Sequence, residues 1–219
     1  MKYFIYFLFA TLFFTQCKKQ EAVQPVAMHY NYIPTKIGSW NTYEVISITH
    51  NTTGAHDTIY YYIKELIAEQ IDSTHYRLER FWKTNWSDNW TIKDVWTREI
   101  TSTFYNQTEE NTTYTKLIFP VKEWVEWNGN AYNNLNEQIY SYSDVHTAYY
   151  INNLNFDSSV TIIQNDNTNA IEYQKAKEVY AKNIGMVYKS DINLNINLYD
   201  PTDINEGTEL TMKIIEYGN

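Results

Sequence analysis

The sequence is poor in the residues on which several common catalytic sites are built. It contains one cysteine and six glycines in 219 residues. No two of these glycines lie close enough together to form a phosphate-binding loop or the sharp turn that carries a serine nucleophile. A single cysteine cannot form a disulfide within the chain, so packing and sheet hydrogen bonds must hold the fold together. Phosphate-loop, dinucleotide-binding and serine-hydrolase functions are therefore not predicted.

Positive charge is also scarce. The chain carries 17 Lys and Arg residues against 26 Asp and Glu residues, which gives a formal net charge of −9. An acidic surface repels phosphate backbones and anionic lipid head groups. We therefore expect no nucleic-acid partner, and any membrane attachment has to come from something other than surface charge.

The N-terminus has the features of a secretory signal. Lys2 is followed by the apolar run "YFIYFLFATLFF" at residues 3–14. A membrane-spanning helix needs about 17 to 25 apolar residues, so this run is too short and is typical of a signal peptide. The only cysteine, Cys17, follows it directly and precedes two lysines.

This stretch resembles the lipobox of bacterial lipoproteins. Phe14 and Gln16 replace the usual leucine and small residue, which resembles the relaxed lipoboxes of Bacteroidota-like proteins. The resemblance implies that residues 1–16 are removed, that Cys17 is lipidated, and that the protein is anchored in the cell envelope, at the outer membrane. Lipidation would leave no thiol for catalysis or metal binding. A plain signal peptide or an uncleaved anchor with an incidental cysteine is the alternative.

Residues 17–30 are predicted to be a lipidated N-terminus and tether, and residues 31–219 a single β-rich domain. Tyr, Trp, Thr, Ile and Val dominate the second region and are interrupted by Asn, Asp and Gly clusters, which is strand composition. We predict a mainly β fold: one curved antiparallel sheet or partly open barrel, with at most one or two short helices. Residues 171–181 fit a helix or a strand equally well. Strands are predicted at 40–49, 58–68, 75–84, 90–100, 102–108, 113–119, 137–143, 158–164, 185–191, 193–199 and 208–217.

A second resemblance involves two segments that bracket this domain. "YIPTKIGSWNTYEV" at 32–45 and "EVYAKNIGMVYKS" at 178–190 look like motifs near the start and end of many uncharacterised Bacteroidota envelope lipoproteins. The resemblance implies a curved, mostly antiparallel sheet and an envelope location, but no reaction. The residues themselves suit folding roles, since Pro34 and Gly38 favour a turn before a strand and Gly185 permits a bend.

Few polar clusters suggest chemistry. His50 and His56 flank a turn-like segment and could meet across a hairpin, with Asp57 as a third ligand, but the spacing is not a recognised zinc pattern. Solvated histidines at strand ends are the simpler interpretation. Paired acidic residues at 109–110 and at 123 and 126 lie near turns, where solubility explains them. No catalytic residue, metal site or cofactor is predicted.

Aromatic residues are the conspicuous excess. Trp82, Trp86, Trp90 and Trp96 share the same parity, so a hairpin with its tip at 87–89 would place all four on one face, with Trp86 opposite Trp90. Such a stripe is either part of the core or a platform for a sugar ring or an acyl chain. The predicted function is that of a lipid-anchored, non-enzymatic envelope protein that binds an apolar or glycan ligand on a curved sheet. The alternative is a structural or docking module for another envelope protein.

Overall fold

The computed structural model describes residues 25–218, and these residues form one antiparallel sheet of twelve strands preceded by a single 3-10 turn at Tyr30–Tyr32. Alternating β-branched and aromatic residues account for the strands, as predicted. The strands are β1 (Trp40–His50), β2 (His56–Gln70), β3 (His75–Lys83), β4 (Thr91–Ile100), β5 (Phe104–Glu109), β6 (Thr112–Ile118), β7 (Glu126–Asn128), β8 (Ile139–Ile151), β9 (Leu154–Thr168), β10 (Glu172–Ala181), β11 (Gly185–Asn197) and β12 (Asp200–Gly218).

The sheet curls into a nearly closed barrel. Its order is β6-β5-β4-β3-β2-β1-β12-β11-β10-β9-β8-β7, so the first and last strands pair in the middle and β6 and β7 form the edges. The two edges meet: the backbone N–H of Thr115 donates to the carbonyl of Gly129 at 2.9 Å, and the indole of Trp127 donates to the carbonyl of Thr115 at 2.8 Å. The ring of Tyr140, on the neighbouring strand β8, packs directly over Gly129, where an added Cβ would lie 2.3 Å from it.

The strand connections define two ends of the barrel. We call the end with the β2–β3, β4–β5, β8–β9 and β10–β11 connections the closed end, and the opposite end, with the β3–β4, β5–β6 and β9–β10 connections, the open end. The N-terminal segment lies across the closed end, where the carbonyl of Asn31 accepts a hydrogen bond from the backbone of Asn183. Met28 already packs against the core, two residues before the predicted end of the tether.

The two bracketing motifs meet at the closed end. Gly185 has φ +92, which suits only glycine, and its α-carbon lies against the ring of Pro34. The Asn41 amide donates to the carbonyl of Ile184 at 2.9 Å, and the Tyr43 hydroxyl donates to the carbonyl of Met186 at 2.9 Å. These contacts give both motifs a folding role.

Apolar and aromatic side chains fill the barrel from the closed end. This core ranges from the N-terminal segment to strands on both sides of the β6–β7 junction. Its fully or almost fully buried members are Tyr32, Ile33, Tyr105, Leu117, Phe119, Val121, Trp127, Tyr140, Tyr142, Val160, Ile162 and Tyr180. A second cluster, which includes Val179 and Val187, extends the packing beneath the β8–β9 hairpin.

The observed strands differ from the predicted ones in several places. Residues 185–191 and 193–197 belong to one strand, β11. The segments 165–169 and 200–207, which lie between predicted strands, are largely the end of β9 and the start of β12, and β7 and residues 144–151 of β8 were not predicted as strand. Cross-strand amide pairs, such as the two hydrogen bonds between Asn197 and Asn205, satisfy these polar side chains within the sheet. Residues 171–181, which fitted helix or strand, form β10. Within residues 25–218, no helix is long and apolar enough to cross a bilayer.

Candidate functional site

The open end of the barrel contains a cavity of about 370 Å³. We call it the mouth cavity. Amide, hydroxyl and charged side chains dominate its walls, and only Leu135, Ala176 and Ile192 are apolar. The other lining residues are Glu109, Tyr114, Lys116, Gln138, Tyr140, Gln164, Asn165, Gln174, Lys189, Asp191 and Asn193.

Buried ion pairs form the floor of the mouth cavity. Lys116 lies 2.8 Å from Glu109 and 2.9 Å from Glu178, and Lys189 lies 3.4 Å from Glu178. The hydroxyl of Tyr180 donates to the second carboxylate oxygen of Glu178 at 2.8 Å. Glu178 is only 1% exposed, so its charge depends on these partners and not on water.

The floor keeps its charges near neutral pH. Burial alone would raise the pKa of Glu178, but the ammonium groups of Lys116 and Lys189 outweigh it and lower that pKa to about 2. Burial would likewise lower the pKa of Lys116, yet Glu109 and Glu178 hold it well above its usual range. The cavity floor is therefore a fixed set of paired charges rather than a proton donor or acceptor tuned near pH 7.

A second buried charge group continues from the floor through the barrel. Gln107 donates to Glu109 at 2.9 Å and accepts from Arg98 at 3.3 Å. Arg98 and Arg80 both pair with Glu65, at 3.5 and 3.2 Å. This series of polar contacts ends at Asp94, which lies 3.0 Å from Arg80. The interior thus carries a continuous polar network whose charges are balanced.

Gln164 is the group in the mouth cavity that stands out. Ile163 and Asn165 of β9 pair with Lys177 and Ala176 of β10, so Gln164 is the extra residue of a β-bulge. A bulge re-aims side chains, and here Gln164 and Asn165 both line the cavity. Gln164 is 6% exposed, and its side-chain nitrogen has no hydrogen-bond partner anywhere in residues 25–218. A buried donor without an acceptor is costly, and it can be satisfied by a ligand that supplies one.

Further amides form the rim. The Gln174 side chain donates to Asn193 at 3.1 Å and accepts from Asn167 at 3.4 Å, which links three neighbouring strands. Gln138 donates to the backbone carbonyl of Gln164 at 3.0 Å. These side chains hold one another in place, so the polar groups of the rim are positioned before any ligand arrives.

The four predicted tryptophans do not share one face. Trp82 pairs with Ile63 and Trp96 with Leu78, two buried residues of the barrel interior. The guanidinium carbon of Arg80 lies over the indole of Trp96, 3.5 Å from the centre of that ring. Trp82 is 42% exposed.

Trp86 and Trp90 lie on the outer face instead. Residues 84–90 form a loop, not the paired strand ends that would place Trp86 opposite Trp90. The Lys83 ammonium lies 4.0 Å from the ring centre of Trp86 and 4.5 Å from that of Trp90, and Trp86 packs edge-on against Tyr62. The ammonium of Lys83 thus holds both rings on the outer face, so the four tryptophans do not form the predicted stripe.

The histidine hypothesis is only half right. His50 and His56 do face each other across the β1–β2 hairpin, but Asp57 is the next residue along and points to the opposite face. His50 contacts Glu209 instead, at 2.7 Å. No group of three or more His, Cys, Asp or Glu side chains in residues 25–218 is arranged to hold a metal ion. Of the acidic residues that solubility was expected to explain, Glu109 is instead a partly buried ion-pair partner of Lys116.

The charged interior of the barrel was not predicted from the sequence. A usable signal exists in "HYRLERFW", where Arg80 has the same parity as Leu78 and must therefore share its face. The partners, Glu65 and Asp94, lie on other strands, so the pattern alone gives no reason to place a charge inside. Cys17 lies outside the described residues.

The comparisons with known proteins add little. No protein-family model matches the sequence, and no curated protein matches it. A solved structure of an S-type phycobiliprotein lyase from Guillardia theta aligns over 88% of this chain and 99% of the lyase, with 7% sequence identity and a TM-score of 0.30. A likeness this low carries no argument about function, which has to be argued from the chain's own geometry.

Proposed function

We propose that this chain is a lipid-anchored cell-envelope protein that binds a small ligand in the mouth cavity, without acting as an enzyme. The observation that carries the proposal is the mouth cavity itself, whose lining includes Gln164, an almost fully buried residue whose amide nitrogen has no hydrogen-bond partner in the described chain. Its volume of about 370 Å³ falls within the ~300 to 1,000 Å³ range of small-molecule sites.

The position of the first described residues supports this arrangement. Pro25, the first described residue, is three residues before Met28, which packs at the closed end. Cys17 precedes Pro25 by only eight residues. A lipid on Cys17 would thus attach the protein from its closed end and leave the mouth cavity facing away from the bilayer. The outer membrane is the proposed location, on the basis of the sequence resemblance.

Lipidation is tested by mass spectrometry of the N-terminal peptide and by membrane fractionation of Cys17→Ala. The expected peptide begins at Cys17 and carries a diacylglycerol group and an acyl chain, and the variant leaves the membrane fraction. A mature N-terminus elsewhere, or unchanged membrane retention of Cys17→Ala, would reject the anchor.

Ligand binding is tested by native mass spectrometry of the full protein extracted from envelopes in mild detergent. We expect a non-covalent additional mass that Ala176→Phe removes, because the added ring occupies the mouth cavity. Ile71→Phe, at an exposed position beyond the end of β2, is the matched control and should keep the mass. Loss of the mass in both variants, or in neither, would contradict a ligand in this cavity.

Docking to another envelope protein is the second candidate function. The outer face of β2 to β4 exposes Tyr60, Trp86, Ile92 and Val95, each more than 45% accessible. Such apolar groups on one face are a feature of interaction surfaces. Cross-linking in whole envelopes separates the candidates: a single cross-linked partner that Trp86→Ala and Ile92→Ser abolish, with the cavity variant unaffected, would favour docking.

A further inference from the structure

We propose that the ligand of the mouth cavity is a neutral, hydroxyl-rich molecule of the size of one or two sugar rings. This inference rests on the proposed binding function and specifies the ligand class. It also moves the site away from Trp86 and Trp90, which the sequence suggested as a sugar platform, to the amides of the open end.

The charges of the cavity argue against an anionic ligand. Both lysines of the lining already have carboxylate partners, Lys116 with Glu109 and Glu178, and Lys189 with Glu178. An anion that displaced either carboxylate would leave a buried charge without its partner, which is strongly unfavourable. Asp191 adds an exposed negative charge to the lining and would repel an anion further.

A cationic or apolar ligand fits no better. A cation that reached the floor would approach Lys116 and Lys189, whose ammonium groups face it from two sides of the barrel. An acyl chain would cover Asp191, Asn193 and the other polar groups of the wall without supplying hydrogen-bond partners for them, which is costly.

Amide side chains are suited to hydroxyl groups. Each glutamine or asparagine can donate and accept hydrogen bonds, and so can each hydroxyl of a sugar. The nitrogen of Gln164 has no acceptor within residues 25–218, and a hydroxyl or ring oxygen supplies one without bringing a charge once the side chain turns toward the cavity. Gln138 and Asn193 place further amides around the same cavity. The aromatic rings of Tyr114 and Tyr140 form part of its wall.

The test measures binding of defined probes to the full lipidated protein in detergent micelles by isothermal titration calorimetry. The neutral probes are cellobiose, maltose and N,N′-diacetylchitobiose; digalacturonate is the anionic probe and 1-decanol the apolar one. We expect at least one neutral disaccharide to bind and to bind more tightly than both digalacturonate and 1-decanol.

Two variants locate the binding. Gln164→Leu removes one hydrogen bond to the ligand. We expect the affinity to fall roughly two- to tenfold, which corresponds to about 0.5 to 1.5 kcal/mol. Ala176→Phe fills the cavity and should abolish binding. Gln70→Leu, an exposed glutamine at the closed-end side of β2, is the matched control and should bind as the unmodified protein does. Circular dichroism establishes that each variant is folded, and Ala176→Phe and Gln164→Leu are independent tests should one of them fail to fold.

The outcomes separate this inference from the proposed function. Tighter binding of digalacturonate or 1-decanol overturns the ligand class and leaves a binding function in place. Disaccharide binding that is unchanged in both cavity variants overturns the site. If no probe binds and the envelope-extracted protein carries no additional mass, both the inference and the proposed function fail.

Discussion

The two ends of the barrel are built from the same strands but from different chemistry. At the closed end, Tyr32, Leu117 and Val160 are fully buried and pack as an ordinary core. At the open end, the same strands turn charged and amide side chains inward, and the buried groups are Lys116 and Glu178. Buried apolar side chains stabilise the fold without needing specific partners. A buried polar group destabilises it unless its hydrogen-bond or charge partners are in place. We therefore expect the closed end to supply most of the stability, and the proposed binding to take place at the open end.

The largest expected effect comes from breaking the cavity floor. Glu178→Leu leaves Lys116 with one carboxylate and deprives Lys189 of its contact, so we expect unfolding to become easier by about 3 to 5 kcal/mol. Urea denaturation followed by circular dichroism measures this. The exposed pair of Lys175 and Asp166 is the control, and Asp166→Asn should cost about 1 kcal/mol or less.

The double variant Lys116→Met/Glu178→Leu sharpens this prediction. It removes one charge of each sign, so Glu109 and Lys189 remain as a balanced pair. We expect the double variant to be less destabilised than the sum of the two single changes. Additive losses would mean that the floor is not a coupled charge network.

A direct contrast between the two ends comes from one leucine and one glutamine. Leu117→Ala opens a cavity in the fully buried core and should cost about 2 to 5 kcal/mol. Gln164→Leu deletes an unpartnered donor in a cavity and should change stability by less than about 1 kcal/mol. Chemical denaturation of both variants compares them, and a large loss for Gln164→Leu would make that residue part of the core instead of the binding site.

Gly129 lies where the two edges of the sheet meet, between the closed and open ends. Gly129→Ala would put a methyl group against the ring of Tyr140, which is itself 4% exposed and cannot move aside freely. Overpacking of this kind costs about 1 to 3 kcal/mol. The thermal unfolding temperature measures the effect, and Gly54→Ala, at an open turn position with positive φ, separates steric overlap from backbone strain.

The smallest effect is a difference in pH response. The pKa values of His29 and His146 at the closed end are lowered from 6.5, chiefly by burial, with Lys182 adding repulsion and Glu123 opposing it at His146. The folded state therefore favours the neutral rings, and its stability declines as pH falls through about 6.5. The floor behaves differently, because the pKa of Glu178 is lowered to about 2; its contribution is complete above about 4.5 and is lost as pH falls from there toward 2.

Thermal unfolding at pH 7.5, 5.5 and 3 separates the two ends. Because the histidines are partly solvated and screened, we expect a fall of only about 1 °C between pH 7.5 and 5.5. His146→Gln should remove part of that fall and leave the larger loss below pH 4.5 unchanged. A fall at pH 5.5 that His146→Gln does not alter would place the titrating group elsewhere.

The sequence was sufficient to predict the fold class but not the site. Strand composition between turn signals correctly predicted an antiparallel curved sheet, and most strand positions followed from it. Segments such as 165–169 were misassigned, because isolated asparagines favour turns while paired asparagines across strands satisfy one another. The mouth cavity depends on a bulge at Gln164 and on pairings between distant strands such as Lys116 with Glu178, and neither leaves a periodic trace in the sequence.

The prediction that the four tryptophans share one face is wrong for a local reason. Parity arguments hold only while the strand continues, and the chain leaves the sheet between Lys83 and Thr91. The outer-face Lys83 then draws Trp86 and Trp90 to its own side. The sequence contains that lysine, but its position between the two rings becomes evident only in the folded chain.

The most direct test of the central claim is a side-chain NMR titration. Amide and indole N–H resonances of the full protein in micelles are followed while N,N′-diacetylchitobiose, cellobiose or maltose is added. The account predicts that the shifts concentrate on the side-chain amides of Gln138, Gln164 and Asn193, with the indoles of Trp86 and Trp90 unchanged. Shifts confined to those two indoles, with silent mouth amides, would contradict it.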